Sequence, residues 1–258
     1  MVLCQDEQIL TDFKAETADK QKWILRFNGN NELYEEGLSD YKKYAFENDA
    51  NISVFNYRGT GNSKKVPKRA EDLIADGEAC VQYLLSKGVK EENILIHGLS
   101  LGGGVGTQVA SLHEKIALIN ERSFSSLSKA AAALVNVSFV QSLLKKLGWE
   151  LDSISAYDKI KAEKLIIFHK QDSIMPYSGS CLYKALKTRT MEQYPETAIQ
   201  AVSKGQMKKR LIKQKKPLHI KLQTRFLKAN SMAHNYPLKN DSAYPQVKSF
   251  IQEVFSNQ

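Results

Sequence analysis

Cysteines, histidines and long apolar runs are all scarce in this chain of 258 residues. The three cysteines, Cys4, Cys80 and Cys181, are odd in number and far apart. They give neither a disulfide framework nor a metal-ligand spacing, which suits a reducing compartment. No apolar stretch approaches the ~18 residues of a membrane-spanning helix, so none is expected. The start, Met1-Val2-Leu3-Cys4-Gln5-Asp6-Glu7, lacks a basic leader followed by an apolar core, so no secretory signal is expected. These absences together predict a cytoplasmic protein. Acidic residues are missing from one long segment. Between Glu196 and Asp241 there are none, against eleven lysines and arginines. The formal net charge is +9, so the rest of the chain is slightly acidic and the basic character belongs to one segment.

What is present is ordinary for a globular chain: 42% hydrophobic and 25% charged residues. The length suits one α/β core, which can run to ~200–250 residues as a single domain. No internal repeat or long Pro/Gly/Ser linker divides it, so 1–258 is read as one domain. Short β-rich runs are Trp23–Phe27, Ile52–Asn56, Ile94–His97, Ile116–Asn120, Leu165–Phe168 and Leu218–Leu222. Helical patterns separate them, which predicts βαβ units and a mostly parallel sheet flanked by helices on both faces. The clearest helix is Ala70–Lys87, with an apolar stripe through Leu73, Ile74, Cys80, Val81 and Leu84, stopped by Gly88. Ala243–Phe255 reads as a closing amphipathic helix. The connection from Asn120 to Leu165 is longer than one crossover helix needs. Residues 124–160 have room for a small helical lid or for two ordinary packed helices.

The sharpest motif is Gly98-Leu99-Ser100-Leu101-Gly102, directly after the apolar run 94–97. A G-x-S-x-G sequence between strand and helix makes a sharp turn that lifts the serine hydroxyl out of the backbone. Gly98 and Gly102 leave room for the close approach such a turn requires. The plain alternative is a glycine-rich packing turn. A neutral hydroxyl needs a general base and a group that orients that base. In this architecture the acid and then the histidine follow the serine along the chain. Asp172 lies in a turn after Leu165–Phe168, at the strand end where open α/β sheets place their sites. His234 lies in a loop before the last helix. A turn-capping aspartate and a surface histidine are the bland readings of these two. Of the five histidines, His97, His113, His169 and His219 read as structural by their positions. An oxyanion of acyl transfer needs N–H donors. The candidates are the backbone N–H of Leu101 and that of Asn30, in the turn Asn28-Gly29-Asn30-Asn31. The alternative is a plain turn. This chemistry requires no metal and no organic cofactor.

These residues resemble the α/β-hydrolase superfamily of serine hydrolases, from about Trp23 to the last helix. Asn56-Tyr57-Arg58-Gly59-Thr60-Gly61-Asn62-Ser63 is similar to the Tyr-Arg-Gly-x-Gly-x-Ser turn of a lid-poor group that includes protein depalmitoylases. Arg122–Leu127 and His169–Pro176 match the same pattern. Phe27-Asn28-Gly29-Asn30 and the lysine-rich segment are loosely similar to hydrolases that intracellular bacterial pathogens deliver into host cells. That likeness implies delivery by a specialised secretion system. The superfamily's usual His-Gly after the first main strand is Asn28-Gly29 here. Only 22 residues precede Trp23, so one or both of the usual leading antiparallel strands are expected to be missing.

Asp172 and His234 are farther apart in sequence than one helix and one strand require, so 188–216 reads as a basic insertion. Its Lys208, Lys209, Arg210, Lys213, Lys215 and Lys216 suit an anionic membrane surface, each cation contributing ~1 kcal/mol at low salt. A coenzyme A thioester is another anionic partner of that kind, and a solvated loop is the plain reading. Nucleic acid is not expected, because no aromatic residues interleave with the lysines. The reading as a whole is a serine esterase, lipase or thioesterase acting on a small-molecule or acylated substrate through an acyl-enzyme. A peptidase or amidase on the same triad, and an inactive hydrolase fold serving as a binding module, are the alternatives.

Overall fold

The computed structural model describes residues 2–4, 21–193 and 224–256. Seven strands form one sheet: β1 (Val2–Cys4), β2 (Trp23–Phe27), β3 (Asn51–Val54), β4 (Ile94–Leu99), β5 (Ala117–Glu121), β6 (Lys164–Phe168) and β7 (Thr224–Lys228). Their order across the sheet is β1-β3-β2-β4-β5-β6-β7. β2 to β7 are parallel, and β1 runs antiparallel to β3. The described residues thus include one leading antiparallel strand. The chain winds outward in both directions from the β2–β4 pair, whose carboxyl ends flank the switch point where such sheets place ligands.

Alternate side chains of the inner strands enter two separate cores, as the period of two in a strand dictates. Leu25, Phe27, Ile94, Ile96 and Leu118 pack on one face against Leu73, Val81 and Leu84 of α2 (Ala70–Ser86) and Val105 and Val109 of α3 (Leu101–Ala110). Ile24, Leu95, Ile119, Leu165 and Ile167 pack on the other face. There they meet Ala45 of α1 (Leu38–Glu47) and Val247, Phe250, Ile251 and Val254 of the last helix. Coverage on both faces is why β2, β4, β5 and β6 are buried throughout.

α2 starts where the Asp72 carboxylate accepts the N–H groups of Lys68 and Arg69. It ends before Gly88, whose φ of +87° closes the helix. Three helices fill the β5–β6 connection: α4 (Leu127–Val135), α5 (Phe139–Lys146) and α6 (Ser153–Lys159). Only α4 and α6 bury side chains; α5 buries none. α7 (Leu182–Gln193) follows β6, so the proposed insertion boundary at Thr188 falls inside a helix. The rest of 188–216 lies outside the described residues, as do the proposed strand Leu218–Leu222 and His219. β7 is the partly exposed edge run Thr224–Lys228, and α8 (Tyr244–Ser256) closes the chain.

Candidate active site

Ser100 sits between β4 and α3 with φ +52° and ψ −114°, a conformation that side chains rarely adopt. The surrounding bonds hold it there. Its N–H donates to the Glu121 carbonyl at 2.9 Å, and its carbonyl accepts from the N–H groups of Gly103 and Gly104. The Ser123 hydroxyl adds a 2.7 Å bond to that same carbonyl. The glycines make the turn sterically feasible. A Cβ on Gly98 would lie 2.2 Å from the Gly102 carbonyl oxygen, and one on Gly102 would lie 2.1 Å from that of Phe27.

Asp172 follows β6 and His234 follows β7, and pairing of these strands brings the two loops together. His234 Nδ1 lies 2.7 Å from Asp172 Oδ1. Both side chains are almost wholly buried. The backbone N–H groups of Ile174 and Met175 also donate to Oδ1. Burial alone would raise the Asp172 carboxyl. The hydrogen bonds from His234, Met175 and Ile174 outweigh it and hold the group below the usual carboxylate range. Ser173 locks the two loops to each other: its N–H donates to the Met232 carbonyl, and its hydroxyl accepts the His234 N–H at 3.0 Å. His234 Nε2 is buried with no hydrogen-bond partner among the described residues. The structure therefore joins the acid to the histidine and shows no hydrogen bond from the histidine to Ser100.

Three supporting residues were not assigned such roles from the sequence. Arg122, at the end of β5, reaches Asp172 Oδ2 at 3.2 Å and the Ser231 carbonyl at 2.8 Å. Asp241 accepts N–H groups of Asn230, Ser231 and Ala243, which fixes the loop that carries His234. Its position just ahead of the closing helix was the available signal. Glu32 accepts the Gly29 N–H at 2.5 Å in the turn after β2. The backbone N–H of Asn30 in that turn and that of Leu101 at the start of α3 make no hydrogen bond among the described residues. The Leu101 N–H is the first of α3, beyond the reach of an intrahelical acceptor. Asn28 is buried and tied to Tyr41 and to the Phe55 carbonyl.

The remaining described histidines have structural partners. His97 lies between Glu121 at 3.0 Å and Tyr44 at 2.9 Å. Burial and the nearby Arg26 charge lower its pKa. His113 bridges Glu78 and Glu91, and His169 Nδ1 accepts the Gln171 N–H. The Cys80 thiol is pushed up to about 12 by burial, which leaves it unreactive at neutral pH. Among the described residues no His, Cys, Asp and Glu cluster is placed to hold a metal, and no helix is long and apolar enough to cross a membrane. Lys208, Lys209, Arg210, Lys213, Lys215 and Lys216 lie outside the described residues.

The family model described as Chlamydia CHLPS protein (DUF818) matches residues 2–236. The chain belongs to this family. Its fold is the α/β-hydrolase fold, shared with solved structures across nearly its whole length. The esterase Pf2001 of Pyrococcus furiosus superposes with a TM-score of 0.60 at 15% identity, covering 93% of this chain and 83% of that one. Est1E of Butyrivibrio proteoclasticus, solved with ferulic acid bound, gives a TM-score of 0.57 at 14% identity, covering 93% and 90%. An alpha-beta hydrolase of Vibrio vulnificus gives 0.59 at 17%, covering 92% and 74%. An alignment of 123 positions that covers 45% of the chain is 28% identical to part of the multifunctional-autoprocessing repeats-in-toxin of Vibrio vulnificus. It spans 2% of the toxin's length.

Proposed function

We propose that this protein is a serine hydrolase that cleaves carboxylic esters or thioesters through an acyl-enzyme. The observation that carries the reading is the buried Asp172–His234 pair at 2.7 Å, on the same sheet edge as the strained Ser100 turn. Esterases among the solved structures of the same fold support it. Ser100 Oγ attacks the acyl carbon while His234 Nε2 takes its proton. Asp172 orients the ring through Nδ1 and stabilises the imidazolium. The negative oxygen of the tetrahedral intermediate is held by the Leu101 and Asn30 N–H groups, each contributing ~3–4 kcal/mol. Collapse expels the alcohol or thiol, which receives the proton from His234. Water then enters by the same route, and the acid is released.

The test is labelling by a fluorophosphonate probe in wild type and Ser100→Ala. Wild type is expected to label and the variant is not. A folded wild type that stays unlabelled would overturn the reading in favour of a binding module. Matched ester and amide substrates then separate an esterase from an amidase.

A further inference from the structure

The α4–α5 hairpin carries an apolar surface that the chemistry at Ser100 does not use. Leu134, Val135, Val137, Phe139, Leu143 and Leu147 are all exposed, Phe139 at 65% and Leu147 at 57%. A single exposed leucine needs no explanation, but six large apolar side chains within one short hairpin do. Phe139, Leu143 and Leu147 recur every fourth residue and form one stripe along α5. Val140 and Leu144 lie half-buried beside it.

The hairpin's own charged residues, within 127–147, have one sign. No acidic residue occurs between Glu121 and Glu150. Lys129, Lys145 and Lys146 are exposed there, and Lys145 Nζ lies 3.7 Å from Glu150 Oε2 at the base of the hairpin. The hairpin leaves the carboxyl end of β5, the sheet edge that also carries Ser100. A Cβ placed on Gly179, in the loop that holds Asp172, would touch Ala133 of α4 at 3.7 Å. Ile174 and Met232, on the loops of Asp172 and His234, are exposed apolar residues on the same edge.

We propose that the hairpin docks the protein onto an anionic phospholipid surface. The apolar stripe enters between the head groups, and the lysines meet their phosphates. Charge decides between this occupant and a second copy, because two such surfaces face to face would set lysine against lysine. Docking needs no chemistry at Ser100, so it stands apart from the hydrolase reading. It also requires none of the basic residues between 204 and 216.

Sedimentation with phosphatidylcholine vesicles, with and without phosphatidylglycerol, tests the proposal. The wild type and Ser100→Ala are expected to pellet equally with the anionic vesicles. Phe139→Ser combined with Leu143→Ser is expected to weaken binding at least about tenfold. Both positions are exposed, so the thermal midpoint should stay unchanged. Lys145→Gln and Lys146→Gln should each weaken binding roughly fivefold. Three results would overturn the idea. One is no binding by wild type. Another is equal binding by the double serine variant, which would assign adhesion elsewhere. The third is a lipid-independent dimer that the same substitutions abolish.

Discussion

Arg122 holds Asp172 from the side opposite His234. Its Nη1 lies 3.2 Å from Oδ2 while His234 sits 2.7 Å from Oδ1, and the Arg122 and Asp172 side chains are 1% and 2% exposed. The second guanidinium nitrogen bonds the Ser231 carbonyl, so one side chain from β5 fastens the loops after β6 and β7.

Arg122→Met is expected to cost roughly 3–5 kcal/mol of stability, because a buried carboxylate loses its cation. Turnover should fall with little change in KM, since the acid no longer fixes the imidazole. Urea denaturation and steady-state kinetics on one ester check both. An unchanged midpoint would mean that the pair is not formed in solution.

Asp172→Asn should reduce kcat by about 10⁴-fold, the cost of the wrong imidazole tautomer, and also lower stability, because the buried Arg122 loses a carboxylate partner. Ser100→Ala should cost about 10⁶-fold. Circular dichroism beside the rate measurements separates chemistry from unfolding. If Asp172→Asn turned over as fast as wild type, another residue would have to orient His234.

Gly98→Ala should destabilise by roughly 3 kcal/mol, at the upper end for an overpacked site. The added carbon meets backbone, the Gly102 carbonyl oxygen, which cannot swing aside as a side chain can. Thermal denaturation reads the effect. A midpoint equal to that of wild type would show that the turn relaxes freely.

His113 gives the fold a pH-dependent brace. Its ring nitrogens lie 2.9 Å from the carboxylates of Glu78 and Glu91. Only the imidazolium can donate to both. Burial lowers its pKa, but the two carboxylates outweigh that and raise it above the usual histidine value. A raised folded-state pKa means stabilisation that is complete below the unfolded value of about 6.5 and lost as pH rises through the folded one. The difference in urea midpoint between wild type and His113→Asn should therefore be widest in mild acid and narrow in alkali. A gap that grew with pH would contradict the assignment.

The parallel sheet was legible because its inner strands are buried on both faces and read as continuous apolar runs. The nearness of Asp172 and His234 was legible because the acid follows a buried strand and the histidine sits on the loop before the last helix, in a fixed order after Ser100. β7 was not. Thr224-Arg225-Phe226-Leu227-Lys228 is an edge strand, and its partly exposed side chains leave no apolar run to detect. The roles of Arg122 and Asp241 were hidden because their partners lie 50 and 11 residues away in sequence. α5 misleads in the opposite sense: its valine and leucines suggest a core helix by composition, yet none is buried.

The strand register has a consequence for chain length. Phe168 pairs with Lys228, and Asp172 and His234 follow close behind these two residues. Their spacing is thus set by two adjacent strand ends and is independent of how much chain joins α7 to β7. Sequence separation, 62 positions here, therefore says nothing of the distance between the two side chains, which the paired strand ends set.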